Sequence, residues 1–215
     1  MLKVWGRRNA QNVQKVMWLV GELGLPHEHI PAGGASGRLA EANFGALNPN
    51  RLIPVIEDGT AVVWESHAIL RYLAATYGPE WLWPSQAYAR SLADRWLDWS
   101  QSLWEPAFVT GVFWGYFRTP EPDRDETSVA AALQRCAALI GIAEAVLADR
   151  PFLAGQEFSL ADIPFGSTLY RYFGVDIDRP PAPNVEAYFA RLQGRPAYRE
   201  HVMIPFADLR GRLAF

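Results

Sequence analysis

The chain has 215 residues, of which 50% are apolar and 20% charged, the composition of a folded globular protein rather than a disordered one. Its formal net charge of −3 provides no basic field to attract nucleic acid or an anionic membrane. The single cysteine, Cys136, excludes an intrachain disulfide and a metal site built from several thiolates. Nucleic-acid binding and a disulfide-stapled scaffold are therefore disfavoured.

Targeting signals are weak in this sequence. Residues 1–8 run directly into a strand-like pattern and lack the long apolar stretch of a signal peptide. No window reaches the ~18 uninterrupted apolar residues that a membrane span needs. We therefore expect a cytoplasmic protein.

The first 78 residues alternate strand and helix signals. A short apolar run at residues 2–5 predicts a strand, and apolar positions at helical spacing from Asn12 onward predict a helix. Gly24 supplies a stop signal for this helix, and Pro26 follows shortly after it. The glycine-rich residues 33–37 predict a loop. This half of the chain is predicted to be an α/β domain.

A β-hairpin is predicted next. Two apolar runs, residues 52–56 and 61–64, are joined by a short turn at Asp58-Gly59. Pro54 cannot donate a hydrogen bond within a central ladder, so we expect it on an edge strand or in a special turn. A helix is predicted from about Glu65, and the glycine at position 78 follows its end.

Long helical patterns replace the strand signals after residues 78–85. Two helices are predicted over residues 86–114 and 125–147, separated by a proline-rich break. A third has a clear start, where Ser159 and Asp162 fit a capping box and Phe158 and Ile163 its hydrophobic staple. The predicted organisation is an α/β domain at 1–78, a linker at 79–85 and an all-α domain at 86–215.

Four short motifs, taken together and in this order, carry a family resemblance. They are NVQKV at residues 12–16, RLIPV at 51–55, WES at 64–66 and FSLAD at 158–162. The chain resembles the soluble, cytosolic glutathione transferases, in particular the bacterial branches with Ser, Thr or Asn at the start of the first helix. The resemblance spans essentially the whole chain. It implies a thioredoxin-like α/β N-terminal domain followed by an all-α helical bundle domain, a homodimer, and detoxification by attack of the glutathione thiolate on a hydrophobic electrophile.

The resemblance also implies where glutathione binds. In the family, the residue before a cis-proline offers its main chain to the cysteinyl part of glutathione, and here that residue is Ile53, with Pro54 as the cis candidate. Glu65 and Ser66 match the pair that holds the γ-glutamyl end, at a helix start where free N–H groups and the helix dipole favour an anion. Simple helix capping by these two residues is the alternative.

The catalytic position is where the sequence departs from its resemblance. A free thiol, with a pKa near ~8.5, is mostly protonated at neutral pH, so donors at the sulfur must favour the thiolate. Related proteins place Ser or Thr two residues before the Asn of the first motif, where this chain has Ala10. Asn12 matches the Asn and is the candidate catalytic and glutathione-binding residue through its side-chain amide, with plain helix N-capping as the alternative.

The second substrate is expected against the helical domain. Phe113, Trp114 and Phe117 are the candidate electrophile pocket, because they lie near the predicted end of the first long helix. For the glycine end of glutathione, Leu52 stands where some relatives have a lysine. Arg38 and Arg51 are alternatives there, although surface arginines are more often simply solvated.

Two rival functions stay open. One is a glutathione-dependent disulfide reductase or peroxidase, which needs no protein cysteine if two glutathiones bind together. The other is a non-enzymatic binding protein for glutathione or another ligand, since Ala10 removes an expected hydroxyl. Cys136 is expected to be a small buried apolar residue. The four histidines show no metal spacing, so we expect no metal and no cofactor, with glutathione as a cosubstrate and a small hydrophobic molecule as its partner.

Overall fold

The computed structural model of the chain describes residues 1–213. Its N-terminal part is a four-stranded sheet in the order β2-β1-β3-β4, with β1 parallel to β2 and antiparallel to β3, and β3 antiparallel to β4. The strands are β1 (Leu2–Trp5), β2 (His27–Ile30), β3 (Val55–Asp58) and β4 (Ala61–Trp64). Helices complete this domain: α1 (Gln11–Glu22), α2 (Ala42–Leu47) and α3 (Ser66–Tyr77). The predicted thioredoxin-like α/β arrangement is confirmed.

The rest of the described chain is helical, as predicted. Its helices are α4 (Ala87–Trp99), α5 (Glu126–Leu147), α6 (Asp162–Gly174), α7 (Pro183–Gln193) and α8 (Pro196–His201). The path of α4 continues through Ser100–Trp104 and Pro106–Arg118 in wider turns, in which an N–H group bonds the carbonyl five residues earlier, as between Thr119 and Trp114 at 3.0 Å. We call residues 87–118 the long helix. Its predicted end at residue 114 was four residues too early.

Two local signals explain where elements start and stop. Gly24, with φ of +60°, follows the end of α1, and its N–H bonds the Gly21 carbonyl while the N–H of Leu25 bonds that of Val20. This is a Schellman ending, which needs a residue in the left-handed region. In the turn before α6, the N–H of Ser159 donates to Asp162 Oδ2 at 2.8 Å. Half of the predicted capping box is therefore formed.

Pro54 precedes a central strand rather than lying on an edge strand. β3 lies between β1 and β4, and its first paired residue is Val55. Proline is tolerated here because it stands just before the ladder begins and gives up no inter-strand bond. The Ile53–Pro54 peptide bond is cis, so the predicted cis-proline is confirmed.

Helix α5 is a long apolar helix of the bundle. Among residues 1–213 it is the one helix with the length and composition of a membrane span, a test that core helices of folded domains also meet. Its buried stripe includes Val129, Cys136, Ile140 and Ala143, and it packs against the long helix and α7. This packing places α5 as a core element of the helical domain.

The two domains meet where α1 packs against α6 and α8. Trp18 is fully buried at this junction and contacts the rings of Phe158 and Tyr198, at centroid distances of 5.5 and 4.8 Å. A Cβ atom at Gly166 would lie 2.6 Å from Leu192 and 3.1 Å from the Trp18 ring, so only glycine allows α6 to approach this closely. The tight contact holds α6 against the second half of α1.

Candidate active site

An open cleft of about 570 Å³ separates the N-terminal domain from the long helix. The start of α1 contributes Ala10 and Asn12 to one wall, and Ile53 follows from the loop before β3. The long helix contributes the opposite wall, which includes Val109 and Trp114. The cleft therefore lies between the loop that precedes α1 and a helix of the second domain.

A small recess of about 40 Å³ extends this cleft toward the start of α3. Its walls include Asn12, Ile53, Pro54, Glu65 and Ser66, and it shares Asn12 and Ile53 with the cleft. Four residues predicted from separate parts of the sequence thus line this recess, and we call the recess and the adjoining cleft together the groove. The recess is the narrow polar end of the groove, and the cleft is its wider end.

The start of α3 has an unusual main-chain conformation. Glu65, at the N-cap position, has φ of +70°, a left-handed value that is uncommon for residues other than glycine. Its side chain is exposed and caps no helix N–H group. The Ser66 hydroxyl has no hydrogen-bond partner within residues 1–213. Neither side chain acts as a helix cap, so the capping alternative is wrong for this pair, and strained residues of this kind cluster at ligand sites.

The start of α1 also lacks a side-chain cap. Its N-cap residue is Ala10, which has no polar side chain, and Asn12 is the second residue of the helix. The N-capping alternative for Asn12 is therefore wrong. Asn12 is exposed at the groove, and its amide makes no hydrogen bond within the described part of the chain. The first N–H groups of α1 and this amide are donors at the same edge of the groove.

Helix α6 holds the start of α1 from behind. Gln11 Nε2 donates to Ser167 Oγ at 2.8 Å, and Arg171 Nη2 donates to the Asn9 carbonyl at 2.6 Å. The same Arg171 nitrogen donates to Gln14 Oε1 at 3.2 Å. These bonds fix the residues on both sides of Ala10. No local sequence signal predicted this clamp, because its partners are separated by more than 150 positions.

A buried ionic cluster joins both domains beneath the cleft. Lys15 Nζ, on α1, donates to both carboxylate oxygens of Glu105, each at 2.7 Å, and lies 3.2 Å from His67 Nε2. Burial alone would raise the pKa of Glu105, but the Lys15 charge and the His67 contact outweigh burial and hold it at about 2. Burial and the Lys15 charge lower the pKa of His67. Glu105 lines the cleft, yet its negative charge is neutralised by Lys15.

The predicted electrophile pocket is corrected at two of its three positions. Trp114 lines the cleft, but Phe113 and Phe117 are 1% and 3% exposed and pack on each other and on Phe206 in the core. Phe117 borders a different depression, beside Phe206. Phe113 and Phe117 are four residues apart, so they share one face of the long helix, and that face points into the core rather than the cleft.

Other residues of the long helix reach the cleft instead. Counting back from Trp114, they form groups four to five positions apart, which are Thr110 with Val109, Pro106 with Glu105, and Gln101. This spacing follows the wider turns of the helix, which sequence periodicity did not reveal. The residue four positions before Trp114, Thr110, is the one that helical spacing predicts on the same face.

The candidates for the glycine end of glutathione have different surroundings. Arg51 Nη1 donates to the carbonyls of Leu39 and Glu41, at 2.7 and 3.0 Å, so its guanidinium ties down the loop before α2. Arg38 is exposed and has φ of +71°. Leu52 lines both the cleft and the recess. Of these residues, Arg51 has a structural task in the fold.

Thiol and metal chemistry of the protein itself has little support in residues 1–213. Cys136 is buried, as predicted, and burial raises the pKa of its thiol to about 12. A thiol with such a pKa is protonated at neutral pH and a poor nucleophile. Within the described residues, no group of three or more His, Cys, Asp or Glu side chains is placed to hold a metal ion.

Comparisons with known proteins agree with this geometry. Residues 11–76 match the family model of the glutathione S-transferase N-terminal domain, and residues 106–196 that of the C-terminal domain. The chain is 39% identical to glutathione S-transferase GstB of Escherichia coli, over 95% of this chain and 99% of that protein. It is 31% identical to glutathione S-transferase 3 of Zea mays, over 94% and 93% of the two chains.

A solved structure gives the same result. The theta class glutathione S-transferase of Xanthomonas axonopodis pv. citri, solved with glutathione bound, superposes with a TM-score of 0.89 at 45% identity, covering 95% of this chain and 98% of that one. The two family models match the two domains in their order along the chain. The relatives match over nearly the full length of the chain. The chain belongs to the glutathione S-transferase family, and its function is glutathione transfer.

Proposed function

We propose that glutathione lies along the groove, with its γ-glutamyl end in the recess and its sulfur at the start of α1. The supporting observation is that the recess and the cleft share Asn12 and Ile53, so one elongated ligand reaches both. Glu65 and Ser66 then bind the γ-glutamyl group, and the main chain of Ile53 pairs with the cysteinyl part in the manner of an added strand.

The sulfur is stabilised as a thiolate at the positive end of α1. The first N–H groups of this helix have no intrahelical partners, and the helix dipole favours an anion next to them. The Asn12 amide adds a donor through its NH₂ group. Because Ala10 has no hydroxyl, these donors replace the Ser or Thr contact of related proteins. Asn12 is therefore the proposed catalytic residue.

The electrophile binds in the wider end of the groove, against the long helix. Trp114, Val109 and Pro106 give this wall an apolar surface suited to a small hydrophobic molecule. The protein forms no covalent intermediate in this scheme, because Cys136 is buried and protonated. The reaction consists of attack by the glutathione sulfur on an electrophile held next to it.

Four broader features complete the proposal. The family habit supports a homodimer, and the single cysteine, which cannot form an intrachain disulfide, fits the proposed cytoplasmic location. No cofactor or metal takes part, and glutathione is the cosubstrate. The domain limits are 1–78 and 86–215, joined by a linker at 79–85; residues 214 and 215 lie outside the described residues.

Calorimetry tests the glutathione site directly. Ser66→Ala removes one hydrogen bond to an anionic group, so we expect glutathione binding to weaken by about 1–3 kcal/mol. Ser91→Ala is the matched control, because Ser91 is an exposed serine whose hydroxyl bonds the Tyr88 carbonyl on α4. It should bind like the wild type. A wild type that gives no binding signal with glutathione would contradict the proposal.

Activity assays separate the proposed reaction from its rivals. A chlorinated nitroaromatic, a hydroperoxide and a mixed disulfide are given to the same preparation with glutathione. Transfer to the nitroaromatic at a rate well above the other two supports the proposal. Turnover of the hydroperoxide or mixed disulfide alone would favour the reductase or peroxidase, and binding without turnover would favour a binding protein.

A further inference from the structure

Arg171 is a buried cation beside the loop that enters α1. Its side chain is 5% exposed, its Nη2 donates to the Asn9 carbonyl at 2.6 Å and to Gln14 Oε1 at 3.2 Å, and its guanidinium lies 4.7 Å from the Phe113 ring centre. No carboxylate of the described residues forms a salt bridge with it. A buried arginine is normally paired with an acid, so this one needs an explanation.

The charges around Arg171 add to its own. Burial, followed by the charges of Arg7 and Arg118, lowers the pKa of Arg171 to about 9. The guanidinium is therefore still protonated at neutral pH. Asp208 interacts with Arg118, and Glu105, which lines the cleft together with Arg7, is neutralised by Lys15. Arg171 therefore places a buried positive charge behind the start of α1.

The Arg171 guanidinium lies beside the residue that leads into α1, the helix at whose start the proposed thiolate forms. Asn9, which accepts the Arg171 hydrogen bond, directly precedes Ala10, the N-cap residue of α1 that lines the cleft. Charges act over longer distances in a buried, weakly screening environment than in water. We propose that Arg171 is a positioning residue whose buried positive charge, held one residue from Ala10, stabilises the glutathione thiolate in place of the absent hydroxyl.

The inference rests on the proposed glutathione site and assigns a further group to it. Arg171 does not line the cleft, so it acts through its field and through the Asn9 carbonyl rather than by touching the substrate. A purely structural clamp is the competing explanation. The two explanations differ in what they require, because a clamp needs a hydrogen-bond donor and the proposed role needs a charge.

Three substitutions separate charge from donation. Arg171→Lys keeps the charge and a donor, Arg171→Gln keeps a donor without charge, and Arg171→Met keeps neither. The readout is the pKa of enzyme-bound glutathione, followed by the ultraviolet absorbance of the thiolate against pH. We expect Gln and Met to raise this pKa by about one unit relative to wild type, and Lys to keep most of the wild-type value. If Met does not fold, the Lys and Gln pair still decides.

Two controls complete the experiment. Binding of S-methylglutathione, which has no thiol to ionise, should be unchanged in all three variants, and Arg191→Met on α7 should leave the thiol pKa unchanged. Adding Ala10→Ser to Arg171→Gln should lower the pKa of bound glutathione part of the way back to its wild-type value. Equal effects of Lys and Gln, or no change in any variant, would overturn the inference. Failure of the wild type to bind S-methylglutathione would instead count against the proposed function.

Discussion

The starts of the longer helices fall into two groups, those at the groove and those away from it. Away from the groove, side-chain oxygens bind main-chain N–H groups in the first turn of α4 (Gln86), α5 (Asp125) and α7 (Glu144). Asp162, the first residue of α6, binds the N–H of Ser159 in the preceding turn rather than an N–H group of α6 itself. At the groove, α1 and α3 have no side-chain cap and no acid in their first turn. These six helices, α1 and α3 to α7, have eleven or more residues each in the described chain.

The difference indicates what each helix start does. A cap satisfies free N–H groups and stabilises a helix by about 1 kcal/mol. An uncapped start forgoes this stabilisation but keeps its donors and its dipole free for an anionic ligand. In α1 the residues on either side of the uncapped N-cap are held from behind, because Gln11 donates to Ser167 and Asn9 accepts from Arg171. We therefore expect partnered groups to stabilise the fold and unpartnered groups at the groove to bind the proposed ligand.

Glu105 tests this rule at the cleft itself, because it lines the cleft but is partnered by Lys15. Glu105→Gln leaves a buried lysine without its anion, so we expect a loss of about 3–5 kcal/mol in the free energy of unfolding. Urea unfolding measures it. Glutathione affinity of the folded variant should stay near wild type. A large loss of affinity with little loss of stability would show that Glu105 serves the ligand.

The pH dependence of stability provides a second check on the same pair. The pKa of Glu105 is about 2 in the folded protein, below its ordinary value of 4.5. The stabilisation is therefore fully present above about pH 4.5 and is lost as the pH falls toward 2. The wild type should lose more stability than Glu105→Gln between pH 5 and pH 3. Parallel curves for the two proteins would contradict this assignment.

Asp162 represents the partnered groups away from the groove. It is fully buried, and its carboxylate accepts hydrogen bonds from the N–H groups of Leu153 and Ser159 and from the Tyr188 hydroxyl. In Asp162→Asn an NH₂ group faces one of these donors, which should cost about 2–4 kcal/mol of stability. Thermal or urea unfolding gives the value. Binding of glutathione to the remaining folded protein should be unchanged, and a selective loss of binding would break the distinction.

Asn12 represents the uncapped group at α1. Asn12→Ala removes one donor near the anionic sulfur, which corresponds to ~1.5–3 kcal/mol, or a rise of roughly one to two units in the pKa of bound glutathione. The thiolate absorbance measures the pKa, and unfolding should be nearly unaffected. Ala10→Ser is the companion variant, because it adds the hydroxyl of related proteins and should lower the pKa. A response only to Ala10→Ser would indicate a protein that mainly binds ligand.

Much of the fold could be predicted because its signals are local. The hairpin followed from two apolar runs and the glycine at position 59, the end of α1 from Gly24, and the start of α6 from Ser159 and Asp162. Helix α2 was missed, and strand β2 has only a weak signal of its own. The sequence of β2, His27–Ile30, has no apolar alternation, and α2 has six residues including a glycine. Both elements depend on packing against the rest of the sheet domain rather than on their own sequence pattern.

The residues of the candidate site also divide into those with a local sequence signal and those without one. Asn12, Ile53, Glu65 and Ser66 were found because they lie within short motifs, and the structure brings them to one groove. The cleft wall was predicted only at Trp114, because the wider turns of the long helix change which residues share a face. The cluster of Lys15 with Glu105 and the contact of Arg171 with Asn9 join positions 90 and 162 residues apart. Such pairs have no local signature.

Calorimetric melting with and without glutathione tests the central claim, that uncapped starts serve the ligand and capped starts the fold. Ser66→Ala, at α3, should melt near the wild-type temperature but show a smaller glutathione-induced rise. Asp125→Ala, at the exposed start of α5, should lose about 1 kcal/mol of stability and keep the full glutathione-induced rise. The account would be contradicted if Ser66→Ala melted as low as Asp125→Ala and still showed the full rise with glutathione.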